Sequence, residues 1–149
     1  VVEVGTLTAF STIHLARGMS PNGHLWTVEN EPHHVRVAHD NLIAAGLDSL
    51  VTVVHADGLA GLKTLEEEAP FDAVFIDADK GAYDKYAQWA ALHLRAGGLL
   101  LVDNAYFFGQ LLEASPEAAS VRRMHIHLSD FFEATCLPTP EGMVLAIRR

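Results

Sequence analysis

Five short apolar runs, Val1–Val4, His24–Val28, Leu50–Val54, Ala73–Ile76 and Leu99–Val102, recur along the chain with helix-length amphipathic segments between them. This rhythm limits the possible fold more than any other feature. Each run is rich in Val, Leu or Ile, as strands buried on both faces are. The segments between them, Thr8–Arg17, Pro32–Ala45, Leu59–Glu68 and Ala82–Leu94, are expected to be helices. Pro32 suits a first helical turn, where its missing N–H is not needed, and Gly46 suits the position just past a helix end. Gly97 and Gly98 are expected to separate the helix ending near Leu94 from the next strand. Strand and helix alternating at this spacing imply right-handed βαβ units and a mainly parallel sheet with helices on both faces.

The end of the chain departs from the rhythm. Pro116–Leu128 reads as a helix, and Phe131–Leu137 and Met143–Ile147 as two strands. The join between them, Pro138-Thr139-Pro140-Glu141-Gly142, is short and turn-forming, so the two strands are expected to pair antiparallel. With 149 residues, no internal repeat and no interior linker, residues 1–149 are expected to form one domain. The formal charge of −9 argues against a phosphate-backbone binder, so no nucleic-acid partner is expected. Cys136 is the only cysteine, which excludes an internal disulfide. No apolar run approaches the roughly 18 residues that span a bilayer, and no signal peptide is visible. No membrane partner and a cytoplasmic location are therefore expected. The chain opens inside an apolar strand-like run without Met, so it is expected to be N-terminally truncated.

In open α/β sheets, ligands bind outside the carboxyl ends of the strands. Each expected strand end here carries a usable feature: Gly5-Thr6, Glu29, Asp57, Asp77-Ala78-Asp79-Lys80 and Asp103-Asn104. Glu29 stands 24 positions after Gly5, near the roughly 20 expected of a carboxylate that accepts from ribose hydroxyls. The alternative for Glu29 is a cap on the helix opened by Pro32. The turn Gly5–Ala9 lacks G-x-G-x-x-G and is a poor pyrophosphate cradle. A phosphate-free cofactor such as S-adenosylmethionine tolerates that better. Its amino-acid tail could be held by Ser11 and the first amides of the next helix.

Asp77, Asp103 and Asn104 are expected to converge at neighbouring strand ends. Two carboxylates and an amide oxygen are hard ligands that suit Mg²⁺, with Mn²⁺ or Ca²⁺ as further candidates. The pairs His33-His34 and His125-x-His127 lack zinc spacing and read as surface residues. Cys136 reads as packing, not as a nucleophile.

The stretches "VEVGTLTAFST", "VENEP", "FDAVFIDADKGAYDKY" and "GGLLLVDN" together resemble the cation-dependent class I O-methyltransferases of the catechol and caffeoyl-CoA type. The resemblance runs over nearly the whole chain, through the closing "FFEATCLPTPEGMVLAIRR". It implies a Rossmann-like α/β fold with a seven-stranded, mostly parallel sheet and a C-terminal antiparallel hairpin. It implies S-adenosylmethionine as methyl donor and a small hydroxylated aromatic as acceptor. Glu3, Gly5 and Ser11 are then expected around the methionine part of the donor, Glu29 at the ribose, and Ala56 and Asp57 near the adenine. Asp77, Asp103 and Asn104 become the metal ligands, with Asp77 also beside the donor, and Lys80 the general base. A homodimer is expected as well. The chain differs from the family pattern at Ala9-Phe10, where Gly-Tyr is usual, and in the loop Ala105–Gln110. The family's N-terminal helices have no counterpart before Val1. Two rival readings share the sheet: a non-catalytic donor-binding fragment, and a nicotinamide oxidoreductase, which would leave the Asp/Asn trio without a role.

Overall fold

The first βαβ repeat forms where the apolar rhythm places it. In the computed structural model, which describes residues 1–149, the chain gathers into two units, Val1–Leu65 and Glu66–Arg149. The first unit contains β1 (Val2–Val4), α1 (Phe10–Gly18), β2 (Leu25–Glu29), α2 (Pro32–Ala45), β3 (Val51–His55) and α3 (Gly58–Thr64). β2 pairs in parallel with β1 on one side and β3 on the other, in registers that set Val4 beside Val28 and Glu29 beside His55. α2 starts at Pro32, with the Glu31 side chain accepting from the amide of His33 at 3.1 Å. It stops at Gly46, whose φ of +69° is a left-handed conformation that glycine adopts without strain. Asp57 caps α3 by accepting from the amide of Leu59 at 3.2 Å. α3 lies so near β2 that a side chain at Gly61 would stand 2.5 Å from Val28. Leu25, Ala38, Leu42, Leu47 and Val51 form the core of this unit. Each large aliphatic among them contributes about 1.5–3 kcal/mol by leaving water.

The second unit contains β4 (Phe71–Ile76), α4 (Tyr83–His93), β5 (Leu94–Val102), α5 (Pro116–Phe131), β6 (Phe132–Leu137) and β7 (Met143–Arg148). β4 and β5 are parallel, and β7 runs antiparallel to both β5 and β6, giving the order β4-β5-β7-β6. The closing hairpin expected from the sequence is therefore present, and the two units together supply seven strands. α4 and α5 pack on each other and bury Tyr83, Tyr86, Ala90, Val121 and Met124. No helix is long and apolar enough to cross a membrane.

Two expectations are corrected. Gly97 and Gly98 do not separate a helix from a strand but lie inside β5, where the register with β4 shifts between Phe71 and Ala73. Gly97 takes φ +73°, and a side chain at Gly98 would stand 2.9 Å from the carbonyl oxygen of Arg95. The glycines thus allow an irregularity that lets the strand start at Leu94. Burial on both faces also fails for β5, whose exposed side continues onto β7. Leu100, Val102, Val144 and Ala146 are buried, while Leu99 and Ile147, opposite each other in register, are exposed.

Candidate functional site

The expected site residues fall into two clusters, one in each unit. The first surrounds the turn from β1 to α1. Val4 ends a strand paired with β2, and the amide of Gly5 extends the ladder by donating to Val28 O at 3.0 Å. Gly5 then takes φ +100°, Leu7 +48° and Ala9 +65°. Ala9 provides no side-chain cap, so the first amides of the helix lack a partner within it, as an anion-binding helix start requires. Left-handed geometry explains why glycine is usual at this position. An alanine there costs about 1–2 kcal/mol. The methyl of Ala9 is fully buried in the core of the unit, which returns about 0.8 kcal/mol. Burial thus offsets only part of the backbone cost.

Glu3 is fully buried on β1. Its Oε1 accepts from Ser11 Oγ at 2.6 Å, and its Oε2 accepts from Thr12 Oγ1 at 2.5 Å and Thr27 Oγ1 at 2.6 Å. Ser11, half-buried, is therefore tied to Glu3 by its one proton and presents lone pairs elsewhere. Glu29 ends β2 and is nearly buried. Its Oε2 accepts from the amide of Leu7 at 2.8 Å, and its Oε1 from the amide of Glu31 at 3.0 Å, with His34 Nδ1 at 3.4 Å. Capping of α2 falls to Glu31, not Glu29. Ala56 joins this cluster by donating its amide to Glu29 O at 3.0 Å, and Asp57 follows it at the start of α3.

The second cluster stands at the ends of β4 and β5. Ile76 and Val102 are directly paired, so Asp77 and Asp103 leave matched positions of parallel strands. The amide of Asp103 donates to Ile76 O at 2.9 Å. Asn104 takes φ +55° and donates its amide to Asp103 Oδ1 at 2.8 Å. Lys80 Nζ lies 3.1 Å from Asp77 Oδ1, 3.1 Å from Ala78 O and 2.6 Å from Tyr83 Oη. Three acceptors match the three protons of an ammonium. Tyr83 in turn donates to Asp103 O at 3.1 Å. Burial first, and then the charge of Asp77, push the Tyr83 phenol well above its ordinary value, so it remains a donor. Asp79 accepts from Tyr86 Oη, and its charge adds to the rise at Tyr83.

No group of three or more His, Cys, Asp or Glu side chains is arranged to hold a metal. The Asp77, Asp103 and Asn104 set contains two carboxylates and one amide, so a cation there would rest on a mixed oxygen set. That composition fits a hard dication that keeps some of its waters. A carboxylate offers about four lone-pair directions, so the single bonds to Lys80 and to the Asn104 amide do not exhaust Asp77 or Asp103.

Sequence reasoning missed the support behind Asn104. His125, read as a surface residue, is half-buried and donates Nε2–H to Ala105 O at 2.8 Å. The amides of Ala105 and Tyr106 donate to Gly142 O at 2.9 Å and Glu141 O at 2.8 Å. The ring of Tyr106 lies against Gly142. Cys136 is half-buried, and its hydrogen bond with Tyr106 raises that phenol above its ordinary value. The one signal in the sequence was Gly142, a glycine in a turn that admits no side chain.

The O-methyltransferase family profile matches residues 1–149. A catechol O-methyltransferase of Mycobacterium tuberculosis is 46% identical over 121 residues, which cover 81% of this chain and 54% of that protein. A catechol O-methyltransferase of Niastella koreensis is 38% identical, over 99% of this chain and 72% of that protein. The chain thus spans from about half to three-quarters of the length of these relatives. Among solved structures, the O-methyltransferase from Bacillus cereus in complex with SAH superposes with a TM-score of 0.94 at 32% identity, over 99% of this chain and 73% of that one. Profile, relatives and superposition agree that this chain belongs to the O-methyltransferase family and has its Rossmann-like fold.

Proposed function

We propose that the protein transfers a methyl group from S-adenosylmethionine to a hydroxyl of a small catechol-type aromatic, assisted by a divalent cation such as Mg²⁺. The observation that carries this reading is the pair Asp77 and Asp103 leaving matched positions of β4 and β5. It is supported by the SAH complex of the Bacillus cereus relative and by the catechol activity named for two relatives. The expected homodimer and cytoplasmic location belong to the same proposal.

In this reading the first unit holds the donor. Glu29 has lone pairs for the ribose hydroxyls beyond its bonds to Leu7 and Glu31. The open amides of α1 receive the donor's carboxylate, with Gly5, Ser11 and, behind Ser11, Glu3 around the methionine part. Ala56 and Asp57 border the adenine, and Asp77 is assigned to both donor and metal.

Asp77, Asp103 and Asn104 would hold the cation. A phenolic hydroxyl with a pKa near 10 costs about 4 kcal/mol to ionise at pH 7; a dication held by these residues would supply several kcal/mol toward that and would orient a vicinal diol. Transfer would form the O–C bond to the acceptor as the C–S bond of the donor breaks, with S-adenosylhomocysteine as the leaving product. Lys80 is assigned the acceptor's proton. Its three N–H groups all have acceptors, so it acts as a base only after releasing a proton.

The deciding experiment incubates the protein with methyl-labelled donor, catechol and Mg²⁺, with and without a chelator. Label should move to catechol only when the metal is available. Absence of transfer under all conditions overturns the activity, and chelator-resistant transfer overturns the role of the cation.

A further inference from the structure

Three consecutive residues of the turn between β1 and α1 are each held by a hydrogen bond to a side chain of β2 or α2. Thr6 Oγ1 lies 2.6 Å from Thr27 Oγ1 on β2. The amide of Leu7 donates to Glu29 Oε2 at 2.8 Å. The carbonyl of Thr8 accepts from Asn41 Nδ2 on α2 at 2.8 Å.

Proton counting gives the first tether a direction. Thr27 donates to Glu3, and a hydroxyl has one proton. Thr6 must therefore donate to Thr27, and the chain of polarity runs Thr6 to Thr27 to Glu3. Ser11 and Thr12, from the first turn of α1, also point their protons at Glu3. Four hydroxyls from the turn, the helix start and the neighbouring strand thus converge on one fully buried carboxylate, directly or through Thr27. Such a network holds its members in place, because each lost bond leaves a buried polar group without compensation. The turn it holds needs holding, since Leu7 and Ala9 both occupy the left-handed region without being glycine.

We infer that Thr27 and Asn41 are positioning residues for the methyl donor. They fix the turn in its binding shape before the donor arrives, so binding does not bear the cost of ordering it. Thr27 is fully buried and acts only through Thr6 and Glu3. Asn41 is exposed on α2 and acts through the Thr8 carbonyl. The inference rests on the donor reading above for its ligand, but not for its geometry.

The test compares Thr27→Val, Thr27→Ser and Asn41→Ala with the unaltered chain. Calorimetric titration with S-adenosylhomocysteine should show about three- to tenfold weaker binding for Thr27→Val, the effect of one hydrogen bond. Thr27→Ser should restore the affinity to within about twofold, because the hydroxyl returns. Asn41→Ala should weaken binding by about threefold without lowering the melting temperature. Without ligand, hydrogen exchange at the amides of residues 6–10 should quicken in Thr27→Val and Asn41→Ala, and not in Thr27→Ser. Unchanged exchange and unchanged affinity in a folded Thr27→Val overturn the inference. If Thr27→Val does not fold, Asn41→Ala decides on the same two readouts. If the unaltered chain does not bind S-adenosylhomocysteine, the donor reading fails, and the exchange rates alone decide whether the tethers position the turn.

Discussion

Arg123 Nε meets Asp84 Oδ2 at 2.6 Å, and this contact ties the first turn of α4 to the middle of α5. Ser120 Oγ adds a bond to Asp84 Oδ1 at 2.9 Å, and the amide of Lys85 another at 3.0 Å. Burial alone would raise this carboxyl. The bonds from Arg123 and Ser120, the Arg123 charge and the Lys85 amide outweigh it and hold the carboxyl below its usual value of 3.8. A lowered carboxyl gives stability that is present above the unfolded value and is lost as pH falls through the folded one. Asp84→Asn should therefore lower stability by about 1.5–3 kcal/mol at neutral pH, the range for hydrogen bonds to a charged group. The difference from the unaltered protein should shrink below about pH 4. Urea unfolding at several pH values checks this, and a pH-independent difference contradicts it.

Glu29→Ala should weaken donor binding by about ten- to a hundredfold, corresponding to about 1.5–3 kcal/mol for a carboxylate hydrogen bond. It also frees the amide of Leu7, so the turn loosens together with the ribose contact. Titration with S-adenosylhomocysteine measures the effect. Unchanged affinity removes Glu29 from the donor site.

Added Mg²⁺ should raise the melting temperature of the unaltered protein, and Asp103→Ala should abolish that rise. The affinity for S-adenosylhomocysteine should stay within about twofold. The substitution also removes the bond that orients the Asn104 amide, which adds about 1 kcal/mol of instability. A melting curve that still responds to Mg²⁺ removes Asp103 from the ligand set.

Gly142→Ala should lower stability by about 1–3 kcal/mol through overpacking, since the added methyl stands 2.6 Å from the Tyr106 ring. The φ of +70° at Gly142 adds a further penalty for any L residue. Combining it with Tyr106→Ala should recover the overpacking part and leave the backbone part. Additive losses in the double variant would show that the ring is not the obstacle.

Local signals explain what the sequence revealed. Pro32 and Gly46 bracket α2 as expected, because a proline start and a left-handed glycine stop are properties of single residues. Asp77 and Asp103 were legible because each follows an apolar run directly. α5 runs to Phe131 instead of Leu128, since nothing in Ser129–Phe131 breaks a helix. The irregular start of β5 was misread because Gly97-Gly98 punctuates a loop and a bulge alike. The partnerships that hold the clusters together were hidden for another reason. Glu3 finds Thr27 across 24 positions and His125 finds Ala105 across 20, and only strand pairing and helix packing bring such residues together.

The turn at Pro138–Gly142 offers two carbonyls, those of Glu141 and Gly142, to the backbone just after Asn104. The last stretch of the chain is therefore a template for a loop translated more than thirty residues earlier. Descendants that altered only this turn would reshape the neighbourhood of Asn104 while β4 and β5 kept Asp77 and Asp103 in register, so strand register and loop shape can diversify on separate parts of the gene.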